Sequence, residues 1–412
     1  MLSQLLLALA LVIALGQVIG RLFRRIGQPP VIGEVIAGIV LGPSFLGSIW
    51  PHAYAFVLPA SVAPLLGAVA QLGVILYMFL VGLELNPARL RHRLGATVAI
   101  STAGMIVPFA LGVMLAFSLY PRLSTSDVPF LNFALFIGVA MSITAFPVLA
   151  RILSDLRMTH TDIGALALAC AAIGDVTAWC LLAFVVGVVN ATSGGLFGVA
   201  LPTLGFIAAM FAVVRPVVGR WLGRRATTEP TPAVMATLLI AVLLSAFTTE
   251  AIGVHAIFGA FLFGAIVPHE SRPAVVLHER FGPLVTLLLL PAFFAFTGMR
   301  TEIGLLSTAA DWGLCAAIIA VAVAGKFGAV TIIGRITGLA WRQAAELGTL
   351  MNTRGLMELI VLNVGLELGV ISPRLFTMFV IMALVTTMTT TPILRTLAAT
   401  TGKTGTADPS SH

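Results

Sequence analysis

The chain reads as an all-α polytopic membrane protein with thirteen transmembrane helices, and three observations predict this class. It is 59% hydrophobic and only 9% charged, with a mean hydropathy of +1.08, whereas soluble domains carry roughly 25% charged residues. Apolar windows long enough to cross a bilayer recur at about 2–20, 31–50, 63–85, 95–119, 130–151, 161–189, 195–219, 232–250, 252–268, 281–299, 311–334, 343–366 and 373–394. Placing loops alternately on two sides puts eighteen Lys and Arg on one side and three on the other, leaving Lys326 and Arg354 inside the membrane. The positive-inside rule then sets the N-terminus outside and the C-terminus in the cytoplasm. It also accounts for the net charge of +7 and pI near 10.1 without nucleic acid.

Taken in order, the first apolar run precedes Arg21, Arg24 and Arg25. This is the reverse of a secretory signal, so a retained span is expected. The second span, GEVIAGIVLGP (33–43), resembles the ninth, HAIFGAFLFGAIVP (255–268). Each is the second span of a six-span half, which suggests inverted repeats. Repeat one covers about 1–189, a linker helix about 195–219, and repeat two about 232–394. Glu34 and His255 fall near span starts and Glu84 near a span end, where they could line access paths.

The fifth span of each half carries an interruption. In FIGVAMSITAFPVLARIL, Pro147 removes a donor and biases Phe146 away from helix. Carbonyls near Thr144 and Ala145 are therefore expected to be free, with the Ser142 and Thr144 hydroxyls beside them. In AELGTLMNTRGLMELIVLNVGL, the run Asn352-Thr353-Arg354-Gly355 breaks the apolar pattern, and Glu358 is placed for an i,i+4 pair with Arg354. Non-helical backbone at this depth is tolerated where it is buried or lines a cavity, so two crossed discontinuous helices are predicted.

Asp175 sits near the middle of the sixth span, where a carboxylate costs at least about 2.5–3.5 kcal/mol to insert. A proton, a cation or a partner must offset it; the bland alternative is a protonated Asp hydrogen-bonded inside a bundle. Lys326, in the eleventh span, is one of only two lysines. Unlike an arginine, it can surrender its proton when buried. Cys170, Cys180 and Cys315 all lie in apolar spans and read as packing residues. The chain contains no HExxH, Gly-rich phosphate loop or G-x-S-x-G. An aspartyl protease would need a second acid near Asp175, so no enzyme and no cofactor are expected. Residues 401–412, with Lys403, are expected to form a short disordered cytoplasmic tail within a transmembrane domain of about 1–400.

These residues carry a resemblance. PPVIGEVIAGIVLGPSFLG (29–47), LYMFLVGLEL (76–85), SITAFPVLARIL (142–153), AAIGDVTAW (171–179), GKFGA (325–329) and NTRGLMELIVLNVG (352–365) resemble the membrane domain of monovalent cation:proton antiporters. The branch is that of plant CHX exchangers and glutathione-gated potassium efflux systems. The resemblance implies a core domain moving against a dimerisation domain, a homodimer in lipid, and Na+ or K+ and H+ as transported ions. It implies that Asp175 is the cation- and proton-carrying acid and that Lys326 is its charge partner. Ser142, Thr144 and Ala145 would lie in the unwound ligand segment. Gly174 departs from the pattern, since family members often place Asp, Asn or Gln before the essential Asp. With one acid beside the lysine, electroneutral one-for-one exchange across a bacterial inner membrane is expected. The rival reading is a gated channel or uniporter using Asp175 for selectivity.

Overall fold

The computed structural model describes residues 2–59, 61–84, 94–125, 128–159, 161–190, 196–223, 230–268 and 271–399. The loop residues Arg89, Arg91, Arg93, Arg224 and Arg225, the tail 401–412 with Lys403, and the side chain of Glu84 lie outside the described residues. Among the described residues there are helices and no strand. In order they are α1 (Leu2–Arg25), α2 (Pro30–Leu41), α3 (Pro51–Val57), α4 (Ala63–Glu84), α5 (Leu94–Leu123), α6 (Phe130–Ser142), α7 (Phe146–Asp155), α8 (Asp162–Asn190) and α9 (Leu196–Ala209). There follow α10 (Arg215–Gly223), α11 (Pro232–Ile252), α12 (Ala256–Ile266), α13 (Arg272–Leu284), α14 (Leu290–Met299), α15 (Ala309–Ile336), α16 (Trp341–Met351), α17 (Leu356–Glu367) and α18 (Pro373–Ala399).

Eleven helical stretches among the described residues are long and apolar enough to cross a membrane. They correspond to eleven of the expected windows. The ninth and twelfth windows behave differently. α11 runs on to Ile252, a turn intervenes, and α12 has 11 residues. That is about 16 Å of helix against about 30 Å of hydrocarbon. The twelfth window is two short helices, α16 and α17, separated at 352–355.

The chain forms two compact units, each drawn from three stretches: Met1–Ile19, Glu34–Arg91 and Trp179–Glu302 in one, Gly20–Gly33, His92–Ala178 and Ile303–His412 in the other. In the first, α4 packs on α12 and α14, and α12 on α11. A Cβ on Gly82 would meet the Phe261 carbonyl, and one on Gly264 the Phe79 carbonyl. Only glycine lets the two backbones approach so closely, the usual device for packing helices in lipid. Phe79 stacks on Phe263 at 6.1 Å between ring centroids beside this contact. Glu34 and His255 also belong to this unit.

In the second unit, α5 packs against α6 and α15, α15 against α16 and α18, and α17 against α18 and α6. The start of α15 is fixed by a capping box. Asp311 N donates to Thr308 Oγ1 at 3.2 Å while Thr308 N donates to Asp311 Oδ2 at 3.1 Å. Arg374, in the first turn of α18, pairs with the same carboxylate at 3.4 Å. α15 is thereby tied at one end, and it carries Lys326.

Candidate functional site

Every residue singled out around the two interruptions falls in this second unit. α6 stops at Ser142, Ile143 to Ala145 are extended, and α7 begins at Phe146 with Pro147 in its first turn. Pro147 suits that place because the first amides of a helix have no intrahelical partner to lose. The second interruption runs from Asn352 to Gly355. The two meet directly: Ala145 N donates to Thr353 O at 3.0 Å, and Thr144 Oγ1 to Met351 O at 2.9 Å.

A helix leaves its last four carbonyls without partners, and for α6 each of these is accounted for by a side chain. Ser142 Oγ donates to Val139 O at 2.8 Å. Arg354 donates from Nη1 to Ala140 O at 2.8 Å and from Nη2 to Met141 O at 2.6 Å. Lys326 Nζ donates to Ser142 O. Ala145 O, for its part, accepts the Leu149 amide at 2.9 Å. The break thus leaves fewer free carbonyls than its sequence suggests, because long cationic side chains from α15 and from the second interruption hook onto the cut end.

Arg354 and Glu358 form the expected i,i+4 pair at 2.8 Å, both with side chains fully buried. Arg354 does more than pair. Its guanidinium spans three acceptors, a use its planar fork permits and a lysine would not reproduce. Its backbone is held as well: Arg354 N donates to Thr387 Oγ1 at 3.1 Å, and that hydroxyl donates to Arg354 O. Thr353 and Thr390 hydroxyls lie 3.4 Å apart. Sequence reasoning passed over these threonines. The signal was five threonines among residues 386–391 of an apolar span, far too many for packing alone.

Asp175 is buried in α8 and neither carboxylate oxygen has a hydrogen-bond partner among the described residues. The Phe146 amide, at the positive end of α7, lies near it without closing a bond. Asp175 and Lys326 are within electrostatic reach of each other, as Lys326 is of Arg354 and Glu358. The buried group therefore holds two acids and two bases, of which Arg354 and Glu358 are mutually paired and Lys326 is engaged with α6. Asp175 is the member left open. A Cβ on Gly174 would meet only Ser101 Oγ, at 3.6 Å, so α5 leaves room for a Cβ there. Ser101 itself donates to Cys170 O at 2.9 Å. Asn352 is buried with Oδ1 unpartnered.

Residues 7–397 match the family model described as sodium/hydrogen exchanger, transmembrane. The chain is 46% identical over 403 residues to the Na(+)/H(+) antiporter NhaS4 of Synechocystis, covering 95% of this chain and 97% of that protein. It is 40% identical to cation/H(+) antiporter 20 of Arabidopsis thaliana and 37% identical to K(+)/H(+) antiporter 1 of Saccharomyces cerevisiae. These alignments cover 93% and 90% of this chain but only 47% and 44% of those proteins. The sodium proton antiporter MjNhaP1 of Methanocaldococcus jannaschii has a similar fold, with a TM-score of 0.57 at 16% identity over 93% of this chain and 94% of that one. The chain, an integral multi-pass membrane protein, belongs to the sodium/hydrogen exchanger family.

Proposed function

We propose that the protein is a secondary active monovalent cation (Na+ or K+)/proton antiporter working by alternating access, and not an enzyme. One observation carries the reading: a buried acid, Asp175, without a hydrogen-bond partner, beside two interrupted helices whose breaks touch. The names of the relatives support cation/proton antiport, since Na+/H+ and K+/H+ antiporters both occur among them. Asp175 takes a proton on one face and exchanges it for a cation on the other. The two ions compete for one carboxylate, and this competition couples their fluxes. Oxygen atoms of Ser142, Thr144 and Ala145 complete the cation's shell, using lone pairs that their existing hydrogen bonds leave over.

Because Glu358 is held by Arg354 and position 174 has no side chain, one acid titrates in the cycle. The proton-loaded and cation-loaded sites then carry the same charge, so exchange is electroneutral and one for one. The membrane potential, worth about 2.3 kcal/mol per charge per 100 mV, does not drive it. The remaining parts of the reading are thirteen crossings, inverted repeats and a homodimer in a bacterial inner membrane with its C-terminus in the cytoplasm. The eleven long spans, the short α12 and the pair α16 with α17 support the count. A gated channel or uniporter using Asp175 for selectivity is the second reading, and conductance tells it from a carrier.

The test is exchange in proteoliposomes with Na+, K+, Rb+ and Li+ at several pH values, with the potential clamped by an ionophore for an ion outside the pair under test. Cation-driven proton movement indifferent to the clamp is expected, with Asp175→Asn inactive but folded. Conductance far above carrier rates would favour the channel, and a rate that follows the imposed potential would overturn one-for-one exchange.

A further inference from the structure

α1 ends in a Schellman turn in which Gln28 N donates to Phe23 O at 2.9 Å and Gly27 N to Arg24 O at 3.0 Å. Gly27 has φ +75°, a conformation that favours glycine, and the Arg395 guanidinium packs over it where a Cβ would stand. The turn sends the Gln28 side chain to α18. There Pro392 lacks the amide that would otherwise bond to Met388 O, and Gln28 Nε2 donates to that carbonyl at 2.9 Å instead. The other end of the amide, Oε1, is buried without a partner. Gln28 is 8% exposed.

Gln28 lines a pocket of about 270 Å³ whose other walls include Arg24, Arg395, Thr391, Ile152 and Leu156, all in the second unit. Neither guanidinium has an ion-pair or hydrogen-bond partner among the described residues. Two unpaired guanidinium groups ask for an anion with several oxygens, which they bind through charge-assisted forks. The unpartnered Gln28 Oε1 asks for a donor on the same ligand. The Ile152 and Leu156 side chains give the pocket an apolar wall.

We propose that this pocket binds a phosphate ester that also carries a hydrogen-bond donor. The phosphate lies between Arg24 and Arg395, and a hydroxyl or ammonium of the ligand reaches Gln28. Glycerol phosphate and the headgroups of phosphatidylglycerol and phosphatidylethanolamine share this chemistry. The occupant joins the end of α1, α7 and α18. α7 starts beside Asp175, and α18 holds Arg354 through Thr387.

The test uses the full chain, purified and delipidated in detergent, and does not depend on the transport reading. Thermal unfolding is followed against glycerol 3-phosphate, with chloride at matched ionic strength. Native mass spectrometry in parallel scores retention of phosphatidylglycerol and phosphatidylethanolamine against phosphatidylcholine, which lacks the donor. A saturable stabilisation by glycerol 3-phosphate assigns a soluble ligand. Selective lipid retention without it assigns a headgroup. In either case Arg24→Gln/Arg395→Gln should weaken binding by about tenfold or more, while Arg220→Gln, outside the pocket, should not. If the double variant does not fold, Arg24→Gln alone should weaken binding and Arg24→Lys should restore part of it. Equal binding by wild type and the pocket variants, or no preference over chloride and phosphatidylcholine, would overturn the proposal.

Discussion

Replacing Arg354 by Gln tests how the two interruptions are held together. The substitution removes three hydrogen bonds of 2.6–2.8 Å, two to the last turn of α6 and one to Glu358. Breaking a buried ion pair on one side costs about 3–5 kcal/mol, because the remaining charge stays buried and uncompensated. Each orphaned carbonyl adds about 1–3 kcal/mol. The two contributions separate in a double-mutant cycle. Adding Glu358→Gln to Arg354→Gln removes the stranded charge but leaves Ala140 O and Met141 O unsatisfied. The double variant should therefore be more stable than Arg354→Gln alone and less stable than wild type. Thermal unfolding of the four proteins in one detergent gives the coupling. Wild-type stability in Arg354→Gln, or a double variant as stable as wild type, would refute the account of Arg354 as the hook on α6, and a coupling below about 0.5 kcal/mol would refute the buried pair.

Four further outcomes are expected. Thr144→Ala should weaken apparent cation affinity more than it lowers the maximal exchange rate, read from the cation dependence of proton flux. Lys326→Gln should shift that affinity or lower thermal stability yet leave measurable exchange, and complete loss in a folded protein would assign Lys326 a proton-carrying role. Thr387→Val, nearly isosteric, strands the Arg354 amide and should cost about 1–3 kcal/mol in thermal unfolding. Gly264→Val forces a side chain against the Phe79 carbonyl and should lower stability by about 1–3 kcal/mol, visible as an earlier melt.

The parts of this architecture written in local pattern were legible, and the parts written in distant pairing were not. Apolar windows locate the long helices because each must carry its own hydrophobic run. Pro147 and the Asn352–Gly355 run mark the breaks because their backbone cannot continue a helix. Arg354 and Glu358 announce their pair through four-residue spacing. What Arg354 does to α6 could not be read, since its acceptors are backbone carbonyls more than 200 residues away and a carbonyl has no letter in the sequence. For the same reason the expectation of free oxygens near Ala145 proved too generous. Pro147 predicts where carbonyls lose their amides, but not which side chains arrive to replace them. The ninth window, 252–268, was drawn longer than α12 because it took in the turn at 253–255, and the helix begins only at Ala256.

The bond between Gln28 and Met388 joins residues 360 positions apart, and this separation has a consequence for how the protein is made. At about 5–20 residues per second of synthesis, the Gln28 amide exists for roughly 20–70 s before its acceptor leaves the ribosome. Throughout that time the end of the first helix has nothing to hold. Arg354 has the opposite history: Ala140 and Met141 already exist when it is made, and Glu358 follows within about a second at the same rate. This buried charge thus enters the membrane to waiting partners, and α18 fastens the end of an α1 made long before it.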